Sequence, residues 1–160
     1  MAESADPWLS EREIAFLRAL DERGVRYLVV GMSAAILQGV PGSTQDVDLW
    51  FESADDERIA QVARAVGGFF ATRMSPPMLG GALGDRFDVV GHMSGLETFA
   101  VEYAGAKTET VSGVSLKVLP LERIAVSKRA AGRPKDALAV HLIEEALAIL
   151  RHLQSRQGDA

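Results

Sequence analysis

The sequence predicts an α+β domain: one mixed sheet with helices packed on it in an α/β-like way, closed by a C-terminal pair of helices. Three observations predict it. An apolar strand, a glycine turn, a short apolar helix and a second strand follow one another between Val25 and Phe51. Short strand-like runs recur from Phe69 to Leu119. After Pro120 the chain reads as two helices joined at Gly132-Arg133-Pro134.

The elements follow in order. Ser10-Glu11-Arg12-Glu13 is a capping box that starts a helix with Ile14, Leu17 and Leu20 inward, and Gly24 stops it. Val25 to Val30 reads as a buried strand, and Ser33 to Gln38 as a short helix ended by Gly39. Gln45 to Phe51 is the second strand. Ser53 is positioned to cap a helix from about Ala54 to Val66, which Gly67-Gly68 ends. Phe69 to Arg73 reads as a strand. Met74 to Gly84, with two prolines and three glycines, reads as a loop. Phe87 to Val90 is a strand carrying Asp88. Thr98 to Tyr103 and Val114 to Leu119 read as strands, with a third near Thr108 to Val111. Pro120 opens a helix that Gly132 ends, and Pro134 opens the last one. Its apolar stripe, Leu138, Leu142, Ala146, Ile149, Leu150 and Leu153, is expected to face the core. The tail after Arg156 is expected to fray. The 160 residues are read as a single domain, with its core at about 25–119 and the helical pair at about 120–155.

Composition removes several classes. A net charge of −5 argues against a broad basic surface for duplex nucleic acid. Without cysteine there is no disulfide framework, thiolate zinc site or cysteine nucleophile, which fits a reducing compartment. Met1 to Asp6 has no basic and apolar regions of a signal peptide, and no apolar run spans a bilayer. A cytoplasmic protein with no membrane association is the expectation.

The chemistry concentrates at Thr44-Gln45-Asp46-Val47-Asp48-Leu49-Trp50-Phe51. On a strand, Asp46 and Asp48 share one face and Val47, Leu49 and Phe51 the other. Two adjacent carboxylates repel, and a divalent cation relieves that conflict. Hard oxygen ligands suit Mg²⁺, which completes its shell with water and substrate phosphates. A solvated edge strand with two acids is the plainer reading, but Asp is poor in strands. Upstream, Gly31-Met32-Ser33 opens a helix whose free N–H groups suit phosphate. No Walker or Gly-x-Gly-x-x-Gly pattern is present.

Two further segments matter. Asp88 lies inside the apolar run Arg86-Phe87-Asp88-Val89-Val90, while its neighbour Asp85 reads as a turn cap. Four cations, Lys128, Arg129, Arg133 and Lys135, fall within eight positions. Lys128 follows Ile124 and Ala125 on the inward half of its helix and is the candidate phosphate contact; Arg129 reads as a surface residue and Asp136 as a local cap or partner. His92, His141 and His152 read as surface or packing residues.

Together these motifs resemble the nucleotidyltransferase superfamily, whose pattern is a strand, a Gly-Gly or Gly-Ser turn, a helix and then Asp-x-Asp. The chain is most similar to small bacterial proteins related to the AbiEii toxins of abortive-infection and toxin–antitoxin systems. Gly39-Val40-Pro41, Thr44, Asp46, Asp48, Phe87-Asp88, Lys128 and Gly132-Arg133-Pro134-Lys135-Asp136 carry the resemblance, which covers roughly Val25 to Leu150. It implies a nucleotidyltransferase-type mixed sheet and a Mg²⁺-dependent enzyme using two ions. That enzyme moves a nucleoside monophosphate from a nucleoside triphosphate, ATP among them, to an acceptor hydroxyl. It further implies that Asp46, Asp48 and Asp88 hold metal, that Asp88 activates the acceptor, and that Gly31, Ser33, Thr44 and Lys128 bind the nucleotide. The acceptor stays open among an RNA end, a protein and a small molecule. Met32 stands where the family has a second Gly, Gly42 where it has Arg, and Ala139 where it often has an acid. These departures support the alternative of a non-catalytic relative that binds a nucleotide or a cognate partner protein in a toxin–antitoxin-type pair. A purely structural interaction domain is the third option.

Overall fold

The computed structural model describes residues 8–158. The leader-free reading of Met1 to Asp6 lies outside the described residues. Helix α1 spans Glu11–Glu22. Ser10 Oγ accepts from the Glu13 N–H, and Glu13 Oε1 accepts from the Ser10 N–H, so the expected capping box is complete. Strand β1 (Tyr27–Val30) follows, then α2 (Gly31–Leu37), β2 (Val47–Phe51) and α3 (Glu57–Ala65). Next come β3 (Gly68–Ala71), β4 (Met78–Gly81), β5 (Phe87–Val89) and α4 (Phe99–Ala104). The chain ends with β6 (Lys107–Val111), β7 (Val114–Val118), α5 (Leu121–Ala131), a 3₁₀ turn at Pro134–Asp136, and α6 (Ala137–Gly158).

Five strands form a mixed sheet in the order β5-β2-β1-β7-β6. The β5–β2 and β1–β7 pairs are parallel, and β2–β1 and β7–β6 antiparallel. All four residues of β1 are buried, as befits a central strand covered on both faces. On one face Phe51 meets both Tyr27 and Phe70, and Phe16 of α1 meets Phe87. On the other, Trp50 packs edge-on against Phe99 of α4 at 5.3 Å. Leu28, Leu49, Leu116 and Leu119 are among the fully buried side chains. Burial of each contributes about 1.5–3 kcal/mol relative to exposure.

Six expectations are corrected. The second strand begins at Val47, so Asp46 precedes it rather than lying in it. Residues 98–103 start a helix, not a strand: Thr98 Oγ1 accepts from the Val101 N–H, and the Glu102 carboxylate accepts from the Glu97 N–H at 2.8 Å. These local bonds outweigh the strand propensity of Phe, Val and Tyr. The segment read as a loop contains β4, paired antiparallel to β3. There Phe69 lies over Gly80, where a Cβ would stand 2.2 Å from the ring. Asp56, not Ser53, caps α3 by accepting from the Arg58 N–H at 2.9 Å. Finally, α6 buries Ile143 and Leu147, while Leu138, Ile149, Leu150 and Leu153 of the expected inward stripe are exposed. The helix also continues to Gly158, past the point where fraying was expected.

Candidate active site

The site is built where β1 turns into α2. Val30 is extended at φ −129°, and Gly31 then takes φ +65°, a left-handed value that suits glycine. A Cβ on Gly31 would stand 2.6 Å from Asp48 Oδ2. The bare backbone of Gly31 therefore makes room for the carboxylate of Asp48. Ser33 is completely buried beneath them. Its hydroxyl donates to the Val30 carbonyl at 2.9 Å and accepts from the Asp48 N–H at 3.1 Å. Thr44 is similarly committed: Oγ1 accepts from the Asp46 N–H at 3.2 Å and donates to the Asp46 carbonyl at 3.3 Å. Both hydroxyls brace the acidic segment, Ser33 from the interior and Thr44 at the surface.

Parallel pairing sets Asp48 of β2 beside Asp88 of β5. Asp48 is half-buried; Asp46 and Asp88 are exposed. Burial chiefly, then the negative charges of Asp88 and Asp46, push the Asp48 carboxyl up to about 6, against the opposing pull of Lys128 and Ser33. Asp88 is also raised, first by burial, then by the charge of Asp46 and by hydrogen bonding with it. Three acids thus crowd one end of the sheet at a cost in charge repulsion. Among the described residues no group of three or more His, Cys, Asp or Glu side chains is arranged to hold a metal ion. An all-carboxylate, mutually repelling donor set nevertheless fits Mg²⁺, which usually takes one or two protein carboxylates and keeps water or phosphate as its other ligands.

Opposite this acidic edge stands the α5–α6 turn. Gly132, at φ +63°, ends α5 and releases the chain into Arg133. Asp136 is 5% exposed and gathers two cations. Arg133 Nε donates to its Oδ2 at 2.6 Å, and Lys128 Nζ lies 3.4 Å from its Oδ1. The bond from Arg133 first, with the charge of Lys128 adding to it, holds the Asp136 carboxyl below its ordinary range. The Lys128 side chain is itself only 12% exposed.

A cavity of about 680 Å³ separates the two walls. Gly31, Met32 and Asp48 line one side, and Lys128, Arg133, Lys135 and Asp136 the other. His92, Met93 and Ser94, from the loop after β5, complete it. Of the expected site residues, Gly31, Asp48 and Lys128 meet in this lining; Asp46, Asp88, Ser33 and Thr44 lie outside it. Sequence reasoning set aside His92, overlooked Ser94, and counted Arg133 and Lys135 among four cations that could meet a triphosphate or an RNA backbone without choosing them as contacts. For His92 and Ser94 the available signal was position after β5, because loops leaving the carboxyl ends of strands are where α/β sheets gather ligands.

Comparison with solved structures places this fold among nucleotidyltransferases. The antibiotic-resistance factor ANT(2'')-Ia is similar over 91% of this chain and 90% of its own, at 18% identity and a TM-score of 0.58. The lincosamide antibiotic adenylyltransferase LnuA, solved with lincomycin bound, is similar over 88% of this chain and 99% of its own, at 11% identity and a TM-score of 0.59. An antigenic nucleotidyltransferase-like protein from Paracoccidioides brasiliensis is similar over 91% and 78%, at 17% identity and a TM-score of 0.55. No protein-family model and no curated protein matches the sequence. The chain thus has the nucleotidyltransferase fold, a mixed five-stranded sheet flanked by helices with a C-terminal helix. Among the described residues no helix is long and apolar enough to cross a membrane.

Proposed function

We propose that the protein is a Mg²⁺-dependent nucleotidyltransferase that moves a nucleoside monophosphate from a nucleoside triphosphate, such as ATP, to an acceptor hydroxyl. One observation carries the reading: Asp48, charge-strained beside Asp46 and Asp88, faces a cavity whose other wall is basic. Asp46 and Asp48 would hold the metal, with Asp88 completing a second site. The metal, when bound, neutralises triphosphate charge and lowers the pKa of the acceptor hydroxyl. The chain's own residues do the rest by positioning and charge. Gly31 lets the nucleotide approach the backbone, and Lys128, Arg133 and Lys135 face the triphosphate. Ser33 and Thr44 act indirectly, by fixing Asp48 and Asp46. Asp88 accepts the acceptor's proton as its oxygen attacks the α-phosphorus, and pyrophosphate leaves with the P–O bond electrons.

A hydroxyl-bearing small molecule is the acceptor we favour over an RNA end or a protein. The fold relatives include a lincosamide adenylyltransferase and ANT(2'')-Ia, which has been captured with adenylyl-2''-tobramycin. A chain of net charge −5 also lacks the extended basic surface that RNA calls for. The natural setting would be the cytoplasm. The test is transfer from α-phosphate-labelled nucleoside triphosphates, with MgCl₂, to a panel of aminoglycosides, lincosamides, total tRNA and the protein itself. Label moves to a small molecule with release of pyrophosphate, and chelator or Asp48→Asn abolishes it. A fully active Asp48→Asn variant sinks the mechanism.

One observation favours a second reading. Met32, where the resembled family has a second glycine, lines the cavity beside Gly31. In that reading the protein is a non-catalytic relative that binds a nucleotide or a cognate protein in a toxin–antitoxin-type pair. Tight nucleotide binding without transfer to any acceptor, in wild type and Met32→Gly alike, would establish it.

A further inference from the structure

The last helix has two apolar faces; the body of the protein covers one and reaches only part of the other. Ile143 and Leu147 are buried. Leu138, Ile149 and Leu153 are 66%, 61% and 50% exposed; Leu142 and Ala146, on the same line of the helix, are half-buried and rest in part against the core. Their spacing of four, four, three and four residues keeps these five on one stripe. Every residue from 148 to 158 is exposed. About 16 Å of helix therefore stands clear of the body. Its isoleucine and leucines are costly to leave in solvent.

Charge narrows the choice of occupant. Near the body the stripe is bordered by Glu145, and at its far end by Arg156. Glu145 otherwise holds an exposed contact to His141 on its own helix, at 3.3 Å. Such a surface pair contributes little and is readily exchanged. A stripe that runs from acid to base is complementary to itself when reversed. A twofold arrangement supplies that reversal, because each copy presents the same patch to the other.

We propose that α6 pairs antiparallel with α6 of a second copy of this chain, about a twofold axis near Ile149. Ile149 then meets its counterpart, Leu153 meets Ala146, and Arg156 lies beside Glu145. The surface is separate from the acidic edge of the sheet, so the inference stands or falls independently of the nucleotide chemistry.

The chain has no cysteine, which makes the test direct. Ile149→Cys should give a disulfide-linked dimer on mild oxidation, whereas Glu122→Cys, on α5, should stay monomeric. Light scattering at about 100 μM should return twice the chain mass for the wild type, since dimer formation depends on protomer concentration. Ile149→Glu/Leu153→Glu should return one chain mass with unchanged circular dichroism. Glu145→Arg and Arg156→Glu should each weaken the dimer about fivefold, and together restore it. A wild type monomeric at that concentration overturns the proposal and leaves the face to some other protein. So does a dimer that survives the double glutamate variant, or one cross-linked only by Glu122→Cys.

Discussion

The two walls of the cavity are held by different forces. The sheet wall is steric and backbone-made: Gly31 clears space for Asp48, and the buried Ser33 hydroxyl ties Val30 to Asp48. The helical wall is electrostatic: buried Asp136 collects Lys128 and Arg133 across a turn. A steric arrangement tolerates no intrusion, whereas an ion-paired one responds to pH and salt. The sheet wall also keeps its carboxylates in conflict, and the helical wall satisfies its carboxylate. The strained wall suits a metal and the satisfied wall suits presentation of cations to phosphate.

The largest effect should come from filling the sheet wall. Gly31→Ala adds a methyl group 2.6 Å from Asp48 Oδ2 at a left-handed φ. It should cost about 3 kcal/mol or more in denaturant titration and remove nucleotide binding. A variant of wild-type stability and affinity would erase the steric half of the contrast.

Relieving the charge conflict should come next, with the opposite sign. Asp48 has a folded pKa of about 6, above its ordinary 3.8, so the folded chain holds that proton more tightly than the unfolded one. The metal-free protein therefore gains stability as pH falls from above 6 towards 4, and carries the full cost above 6. Asp48→Asn should stabilise the metal-free fold by on the order of 2–3 kcal/mol at pH 7.5. The gain should vanish near pH 4, while transfer is lost. MgCl₂ should raise the melting temperature of the wild type and leave that of Asp48→Asn unchanged.

The helical wall should respond the other way. Asp136 is held below its ordinary 3.8, so its contribution is complete above that pH and is lost as pH falls through the folded value. Asp136→Asn should cost about 2 kcal/mol at neutral pH, by loosening two charge-assisted contacts. The deficit should narrow in acid, as thermal melts from pH 7 down to 2.5 would show. Ser33→Ala strips partners from the Val30 carbonyl and the Asp48 N–H and should cost about 1–2 kcal/mol, nearly independent of pH above 7. Arg133→Ala is the mildest, because that side chain is 52% exposed. It should lower nucleotide affinity with a stability change of about 0.5 kcal/mol, read by calorimetric titration beside a melt.

Local signals were legible wherever one residue type decides the geometry. Ser10 with Glu13, Gly31 before a short helix, Pro120 and Gly132 all marked turns and helix ends, because capping and left-handed backbone are settled by immediate neighbours. Asp48 and Asp88 stood out because carboxylates in apolar strands need a reason. What escaped depended on particular side-chain and strand partners that residue type alone does not select. Thr98 to Tyr103 reads as strand until Glu102 finds the Glu97 N–H and Arg123 Nη2, the latter at 2.6 Å. Met78 to Gly81 becomes a strand because β3 offers it an edge. Ser33 looked free to meet phosphate, yet its hydroxyl is spent on Val30 and Asp48.

Helix α6 divides the two kinds of knowledge most clearly. Its length, its period and the apolar line from Leu138 to Leu153 are properties of the sequence, since the 3.6-residue repeat follows from backbone geometry. Which of its two apolar faces the body takes is a property of the assembled fold. Packing on the body took Ile143 and Leu147, with Leu142 and Ala146 in part, and left Leu138, Ile149 and Leu153 of the more regular line outside. The same division holds at the site: residue types and spacing determined an acidic edge and a basic turn. Only tertiary structure brought them to opposite sides of one cavity, because strand order and helix docking set distances between residues far apart along the chain.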